Sequence, residues 1–571
     1  MGGIKMGSVK ILSGEGKGFT VEKTAVAHIN PRNCVNCGTC RELCPMEAIS
    51  ESQRVICRIC PECTEQDAMT FDEMYEFTTK AACTTGCPLG ISPQGYINLT
   101  RAGKLEEAYK LVWDKNPLPS VCARICHHPC EQVCKRGVLV DEPIAIRSIK
   151  RYLGEKTTFR AEKYPRLYEE RIAVIGAGPA GLTAGHYLSR AGYEVTVFES
   201  ATEAGGMLKR GIPEFRLDRS VVDEEVTNLE NAGLAIRLNE RINKHSLEKI
   251  QKEYDAVIVA AGAPNSKELK IEGWRLSGVM TAMDFMEQVN HRQEIRRHPG
   301  QIFNLGGEVV VIGGGSVAID TARAALRMGA TKVTAVCLEC DEEIPCHPWE
   351  LKEAEDEGIT LIQSHSPTRF VGTYPKLEGV EVCKVTSFSK DGKGKISCEL
   401  DENDTMTIKA DWAIVAIGQA PDTMWSSLKG DRIYFAGDIS KSACSVIDAM
   451  ASGRKVALNV DADLRGRTLK DPMDTHELHS APLSEKIYPY NRRKSIRPEI
   501  PMLAAESRIH SFDEVEGGFD DEAAQMEVLR CLRCGYQVVD EERCIGCGIC
   551  QRECPEGDVI TMEPVAKGGE K

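Results

Sequence analysis

The chain has 571 residues and a formal net charge of −14. Its length implies roughly four domains, and its acidic balance argues against nucleic acid or an anionic membrane as the main partner. No apolar run approaches the roughly 18 residues of a membrane span, and no charged n-region followed by an apolar core opens the chain, so a soluble, cytoplasmic protein is expected. Of the 25 cysteines, 13 fall between Cys34 and Cys134 and six between Cys531 and Cys554. In a long chain of this class, dense Cys-x-x-Cys spacing points to metal or iron-sulfur binding rather than a disulfide scaffold.

The first element in chain order is a ferredoxin-like module over residues 1–76. Cys34, Cys37, Cys40 and Cys44, closed by Pro45, form the Cys-x2-Cys-x2-Cys-x3-Cys-Pro run of a 4Fe-4S cubane, whose fourth cysteine often serves a neighbouring cluster. Cys57, Cys60 and Cys63 start a similar run, but Asp67 stands where a fourth cysteine is expected. Ligation by Asp67 and a surface Asp beside an incomplete iron or zinc site are both open. Residues 77–165 read as a helical iron-sulfur domain. Cys83 and Cys87 lie in CTTGCPLGI, and Cys122, Cys126, Cys130 and Cys134 recur every four residues. Pro129 interrupts that spacing, so short helices and loops are expected rather than one helix face. His127 and His128 read as solvated or capping residues.

After Arg171 the text becomes strand, glycine loop, helix, strand: RIAVIGAGPAGLTAGHYLSRAGYEVTVFE, with Gly176, Gly178 and Gly181 in GxGxxG and Glu199 lying 18 residues past Gly181. This is a dinucleotide-binding unit in which the glycines admit the pyrophosphate to a helix N-terminus and Glu199 takes the ribose hydroxyls. A second copy carries Gly313, Gly315 and Ala318 in GxGxxA, with Glu339 lying 21 residues past Ala318. Two such units imply one flavin and one nicotinamide nucleotide, with hydride passing between them. A 2′-phosphate calls for Arg or Lys at the end of the second strand, whereas this chain offers Leu338, Glu339 and Asp341, which favours NAD over NADP. Cys337 and Cys340 form a CxxC among acids that disfavour a thiolate, so structural thiols are expected there.

Residues 466–525 read as a Pro-, Ser- and charge-rich connector draped over a surface or partner. Residues 526–571 form a second ferredoxin-like module with Cys544, Cys547, Cys550 and Cys554 before Pro555. The 19 terminal cysteines together with Asp67 supply ligands for five cubanes, with four clusters and spare thiols as the alternative.

The motifs CTTGCPLGI, NPLPSVCARIC, GAGPAGLTAG, GGMLKRGIPEFRL, GGGSVAIDTAR, AIGQAPDT and AGDISKSACSVIDAMASGRKVA resemble the flavoprotein family of the glutamate synthase small subunit. Its relatives include the large subunit of NADH-dependent ferredoxin:NADP oxidoreductase and the N-terminal half of dihydropyrimidine dehydrogenase. The resemblance covers residues 78–465 and 507–536. It implies an α/β fold with two Rossmann-like units, an NAD(P) domain at 296–409 being inserted into an FAD domain at 166–295 and 410–465. It further implies that Gly176, Gly178, Gly181, Glu199, Gly206, Leu208, Arg216, Gly437 and Asp438 hold FAD, and that Gly314, Gly315 and Ser316 hold the nicotinamide nucleotide. Cys87, Cys126, Cys130 and Cys134 match the ligands of one family cluster, and Cys83 matches a ligand of another. Three departures stand out. RCLRC, with Cys531 and Cys534, sits at the C-terminus, from where it would fold back to the Cys83 cluster. Lys150, which cannot bind iron, occupies the place of the family's Glu or Gln ligand, making Cys122 the substitute candidate. Leu338 and Glu339 replace the two arginines of NADP-using relatives.

These readings predict an NAD(H)-dependent FAD and iron-sulfur electron-transfer subunit of an anaerobic oxidoreductase complex. It would exchange electrons with ferredoxin or a catalytic partner subunit, with electron bifurcation open. The alternatives are an NADPH-dependent glutamate synthase small subunit and, from another class, a polyferredoxin scaffold or iron-sulfur redox sensor. No side-chain catalytic set is expected, because hydride transfer asks for stacking geometry.

Overall fold

The computed structural model describes residues 8–12, 18–22, 25–29, 40, 43–44, 48–52, 54–55, 69–70, 81–292, 304–340, 343–390, 396–425, 428, 430–440, 445–466, 494–532, 536–539, 547–552, 554 and 560–564. The expectations placed on Cys34, Cys37, Cys57, Cys60, Cys63, Asp67, Cys534 and Cys544 lie outside them. Among the described residues, no helix is long and apolar enough to cross a membrane.

In the strand Arg171–Ile175 the residues after Arg171, IAVI, are an unbroken, buried apolar run, as a strand covered on both faces must be. It lies at the centre of a five-stranded parallel sheet in the order Ile433–Phe435, Ala256–Val259, Arg171–Ile175, Glu194–Phe198, Ala235–Arg237. Helix Pro179–Ala191 follows the first strand and packs on helix Val446–Arg465. Gly453 permits that contact, since a Cβ there would stand 2.1 Å from the Ala180 carbonyl oxygen.

The second parallel sheet runs Val279–Thr281, Trp412–Val415, Glu308–Ile312, Lys332–Val336, Thr360–Ile362. Two of its strands lie outside the expected span 296–409: Trp412–Val415 gives the buried strand Glu308–Ile312 its second neighbour, and Val279–Thr281 pairs in turn with Trp412–Val415. The sheet of the inserted unit therefore spans 279–415. Its two connections pair antiparallel as Asn265–Ser266 with Gln419–Ala420. A three-stranded antiparallel sheet, His365–Thr373, Lys376–Lys390 and Ile396–Lys409, leads back to Trp412.

Short helices build residues 82–156, and Ile97, Leu99, Ile149 and Leu153 share one core with Ile172, Val174 and Leu182 of the flavin-type unit. The described end of the connector crosses this helical domain. Arg147 pairs with Glu516 at 2.5 Å, Arg151 with Glu514 at 2.9 Å and Arg497 with Glu131 at 2.8 Å. Helix Asp521–Arg530 then packs on Pro93–Arg101 and Ile146–Lys156, so it belongs to the helical domain and not to the terminal module at 526–571.

The two ferredoxin-like ends, expected as separate modules, come together. Ala25–Ile29 pairs antiparallel with Ile560–Pro564, and Ile49–Ser52 with Tyr536–Val539. Ala27, Ile29, Cys40, Ala48, Ile49, Cys550 and Ile560 form one core. An isolated two-stranded ribbon is marginal in water, and pooling the two halves gives the strands a common apolar face.

In the inserted unit, the Glu357 carboxylate is fully buried and pairs with Arg323 and Arg327, each at 2.7 Å, and with Arg508 of the connector at 3.3 Å. Despite burial, hydrogen bonds from Arg327 and Arg323 hold its carboxyl below the ordinary value. Glu357→Ala should cost about 3–5 kcal/mol in denaturant unfolding, since it takes from the buried Arg327 guanidinium its carboxylate partner and leaves Arg323 with Glu353 alone. The stabilisation from this group is present above the unfolded carboxylate value and lost as pH falls through the folded one. Acid unfolding of Glu357→Ala should accordingly be shallower than that of the unchanged protein.

Candidate electron-transfer site

Both glycine loops are built to receive an anion. Gly176 has φ +106°, and a Cβ there would meet the Ala260 carbonyl oxygen at 2.5 Å. Gly178 caps helix Pro179–Ala191 without any side-chain hydrogen bond, and a Cβ on it would meet no protein atom within 4 Å. The first-turn N–H groups are thus left for a ligand, as a pyrophosphate cradle requires. Gly206 (φ +56°) passes close by, a Cβ there lying 2.9 Å from the Gly178 Cα, and a Cβ at Gly437 (φ +75°) would lie 2.8 Å from the Ala180 Cβ. Loops far apart in sequence therefore converge on Gly176–Gly181. Leu208 is buried behind them and Asp438 lies in the turn Gly437–Ile439. Glu199 ends the second strand, its carboxylate accepting from the N–H groups of Ala177 (2.7 Å) and Ala201 (2.9 Å). These residues fit FAD.

The second loop repeats the design. Gly315 caps helix Ser316–Arg327 without a side-chain bond, and no protein atom would lie within 4 Å of its Cβ. Ala318 is buried beneath, with its Cβ 3.4 Å from the place a Cβ on Gly313 would take. At Gly314 a Cβ would stand 3.0 Å from Glu339 Oε2 and 3.0 Å from Cys337 Cβ, so the Glu339 carboxylate reaches the loop itself. Burial, and then Glu339, push the Cys337 thiol up to about 12, and burial pushes Cys346 up to about 11. Both thiols are buried and held in the protonated form, which fits a structural role.

Arg216, expected at the flavin, pairs with the inserted unit. Its Nη1 lies 2.9 Å from both Asp320 carboxylate oxygens and 2.8 Å from Glu350 Oε1. Glu350 Oε2 accepts from the Ser316 hydroxyl at 2.6 Å and from the His347 N–H at 3.2 Å. One carboxylate thus touches the nucleotide loop, the flavin-type unit and the start of helix Pro348–Asp356. The same turn stacks on the cluster domain: the His127 and His347 rings lie 5.5 Å apart at 5°, His347 and Trp349 4.4 Å apart at 4°, and His128 and Trp349 4.7 Å apart. The two histidines read as solvated or capping are half-buried at a domain contact, and His128 is also the N-cap residue of helix Pro129–Gln132, without a side-chain bond. Sequence offers no signal for the pairs of Arg216 with Asp320 and Glu350 or of His127 and His128 with His347 and Trp349, which join residues about 100 to 220 positions apart.

In the helical domain the thiols gather around Lys150. Its buried ammonium lies within electrostatic reach of Cys122, Cys126, Cys130 and Cys87, and no described carboxylate pairs with it. Cys126 accepts from the His128 N–H at 3.3 Å, and Cys122 lies fully buried with its sulfur 3.4 Å from Met450 Sδ. Cys83 donates to Gln94 Oε1 at 3.4 Å, and Cys83, Cys130, Cys134 and Cys531 border the same core. The fold-back of Cys531 onto the helical domain is therefore present, fastened by Arg136 to the Arg530 carbonyl at 2.5 Å. Among the described residues, no three such side chains converge closely enough to grip a single metal ion. The donors instead suit a larger anionic body, because free thiols surround an ammonium with no counter-charge of its own.

Residues 170–434 match the pyridine nucleotide-disulphide oxidoreductase family. Residues 52–162 match dihydropyrimidine dehydrogenase domain II with its 4Fe-4S cluster, and 27–50 and 535–556 each match a 4Fe-4S binding domain. The second match groups Cys57, Cys60, Cys63 and Asp67 with the helical domain. The chain is 31% identical over 520 residues to the beta subunit of NADP(+)-dependent formate dehydrogenase from Moorella thermoacetica, covering 81% of this chain and 72% of that one. It is 30% identical to the glutamate synthase [NADPH] small chain of Azospirillum brasilense, covering 66% and 86%. It is also 30% identical to the NAD-dependent dihydropyrimidine dehydrogenase subunit PreT of Escherichia coli, covering 68% and 92%. Fold, site and relatives define an NAD(P)H-dependent flavin oxidoreductase subunit with 4Fe-4S clusters. The chain belongs to the glutamate synthase small-chain family, which includes the dihydropyrimidine dehydrogenase-like iron-sulfur flavoproteins.

A buried positive charge beside a cluster favours its reduced form. Lys150→Met should leave the iron content unchanged and lower the reduction potential of one cluster, read by redox titration with electron paramagnetic resonance. Lys150→Arg should keep it. An unchanged potential in Lys150→Met would place the ammonium away from any cluster.

Proposed function

We propose that the chain moves electrons between NAD(H), FAD and its 4Fe-4S clusters, to or from ferredoxin or a catalytic partner subunit. The observation that carries the choice of nucleotide is the Glu339 carboxylate against Gly314. A carboxylate there accepts from a free 2′-hydroxyl and repels a 2′-phosphate. The beta subunit from Moorella and the Azospirillum small chain are named for NADP or NADPH and the Escherichia coli subunit for NAD, so kinship favours neither nucleotide and the support for NAD comes from this residue.

Each residue near the loops has a definable part. The N–H groups at Gly178 and Gly315 bind pyrophosphates, Glu199 and Glu339 orient riboses, and Arg216 offsets Asp320 and Glu350, whose charges would otherwise oppose an arriving phosphate. Burial and the shared core keep water from the thiols. Bound FAD supplies the conversion of a hydride pair into single electrons. The Cys87, Cys126, Cys130 set, completed by Cys134 or Cys122, and the Cys83, Cys531, Cys534 set would hold clusters along the helical domain, and Cys57, Cys60, Cys63 and Asp67 another. Subunit names among the relatives support a hetero-oligomeric complex.

The test is anaerobic addition of NADH and, separately, NADPH, with flavin absorbance and iron followed on one sample. NADH alone should bleach the flavin, with about 20 iron atoms per chain for five cubanes. Replacing both Leu338 and Glu339 by arginine should shift the NADPH to NADH ratio of kcat/KM upward by about tenfold or more. Bleaching by NADPH alone in the unchanged protein would overturn the Glu339 argument and favour the glutamate synthase reading. No bleaching by either would favour a scaffold or sensor.

A further inference from the structure

An unbroken series of contacts runs from the nucleotide loop to a sulfur of the helical domain. Ser316 opens the helix that follows Gly315, and its hydroxyl donates to Glu350 Oε2 at 2.6 Å. The same oxygen accepts from the His347 N–H at 3.2 Å, which fixes the start of helix Pro348–Asp356. From there the contacts are between rings: His347 on His127 at 5.5 Å, His347 on Trp349 at 4.4 Å, and Trp349 against His128 at 4.7 Å. His127 Nδ1 is buried with no hydrogen-bond partner among the described residues, so no polar bond at that atom competes with the stack. The series ends where the His128 N–H donates to Cys126 Sγ at 3.3 Å.

Both ends of this series have a second state open to them. A hydroxyl carries one hydrogen, so Ser316 donates either to Glu350 or to a phosphate oxygen on the loop, and not to both. Once deprived of that bond, Glu350 is drawn to Arg216, whose Nη1 already lies 2.8 Å from Oε1, and its hold on the His347 N–H weakens. At the other end His128 has φ 45° and ψ 56°, a left-handed conformation that a residue with a Cβ keeps only where its surroundings enforce it. The Trp349 ring packs against that residue. An N–H donated to a ligating sulfur favours the reduced cluster, so loosening this turn lowers the reduction potential.

We propose that Glu350, His347 and Trp349 are positioning residues that couple occupancy of the nucleotide loop to the potential of the cluster held by Cys126. A nucleotide phosphate takes the Ser316 hydroxyl from Glu350, the turn at His347 shifts, and the N–H bond to Cys126 Sγ weakens. By linkage the effect is reciprocal: reduction of that cluster weakens nucleotide binding by the same factor. An electron that reaches the cluster therefore favours release of the nucleotide that delivered it. This rests on the reading that the loop binds NAD(H) and that Cys126 ligates a 4Fe-4S cluster.

The experiment uses the full-length protein with its cofactors and ADP-ribose, which has the pyrophosphate and both riboses of the dinucleotide but no nicotinamide to reduce. Redox titration with electron paramagnetic resonance should show the potential of one cluster falling by about 40 mV at saturating ADP-ribose, equivalent to a coupling of about fivefold for one electron. Trp349→Ala should abolish the shift and Trp349→Phe should keep it. Ser316→Ala should show the lower potential before any ligand is added. An unchanged potential with ADP-ribose bound, as judged by calorimetry, would overturn the coupling. So would a full shift in Trp349→Ala, which would mark the direct field of the ligand's phosphates. Should Trp349→Ala lose flavin or iron, Ser316→Ala decides, and a ligand-free potential equal to that of the unchanged protein overturns the proposal. Failure of ADP-ribose to bind the unchanged protein, or a helical domain without iron, would instead overturn the underlying reading of the site, and the coupling with it.

Discussion

Backbone packed against backbone with no Cβ between is the constraint on which the rest of the molecule depends. A side chain at Gly181 would stand 2.0 Å from the Gly176 carbonyl, one at Gly453 2.1 Å from the Ala180 carbonyl, and one at Gly313 2.4 Å from the Ala416 carbonyl. These contacts seat each helix N-terminus over its sheet, so that uncapped N–H groups face the dinucleotide. They also bring the Gly437 turn beside the first loop. The order of the sheets follows from the chain returning to that turn after the inserted unit.

Charge then decides how the units sit on one another. Arg216 spans from the flavin-type unit to Asp320 and Glu350, and burial raises Asp320 to about 6 even against the pull of that guanidinium. Glu350, held below its ordinary value chiefly by Arg216 and the Ser316 hydroxyl against the effect of burial, stays ionised. A buried pair of this kind contributes little net stability but strongly opposes the loss of either partner. It therefore acts as a register pin, and the His127, His347, Trp349 and His128 rings extend that register to the cluster domain.

The sequence is most legible where chemistry and spacing coincide. Both glycine loops stand as strand, turn and helix where GAGPAG and GGGSVA place them, and Glu339 reaches Gly314 as an acid at a second strand end should. Legibility ends where a partner lies far along the chain. The strand Val279–Thr281 carries no mark of the sheet it joins, because pairing with Trp412–Val415 is a property of two distant segments. The antiparallel sheet 365–409 alternates poorly, most of its last strand being exposed, and so lacks the period that reveals a half-buried strand. Lys150 was visible only as a departure from a family pattern; its burial beside thiols is a tertiary fact.

The pairing of the chain ends is the extreme case, and it has a cost in folding. Ala25–Ile29 cannot complete its ribbon until Ile560–Pro564 has been made, so the module depends on contacts of nearly the greatest sequence separation this chain allows. Loop-closure entropy grows only logarithmically with length, and most of that closure is already achieved when helix Asp521–Arg530 docks on the helical domain, bringing residue 536 back toward the start of the chain. The arginine and carboxylate contacts of the returning segment, Arg147 with Glu516 and Arg530 with Asp141 at 3.0 Å, thus serve a purpose beyond local stability. They shorten the effective search that joins the two halves, and the strand exchange between those halves follows from a chain whose C-terminal segment has already been brought home.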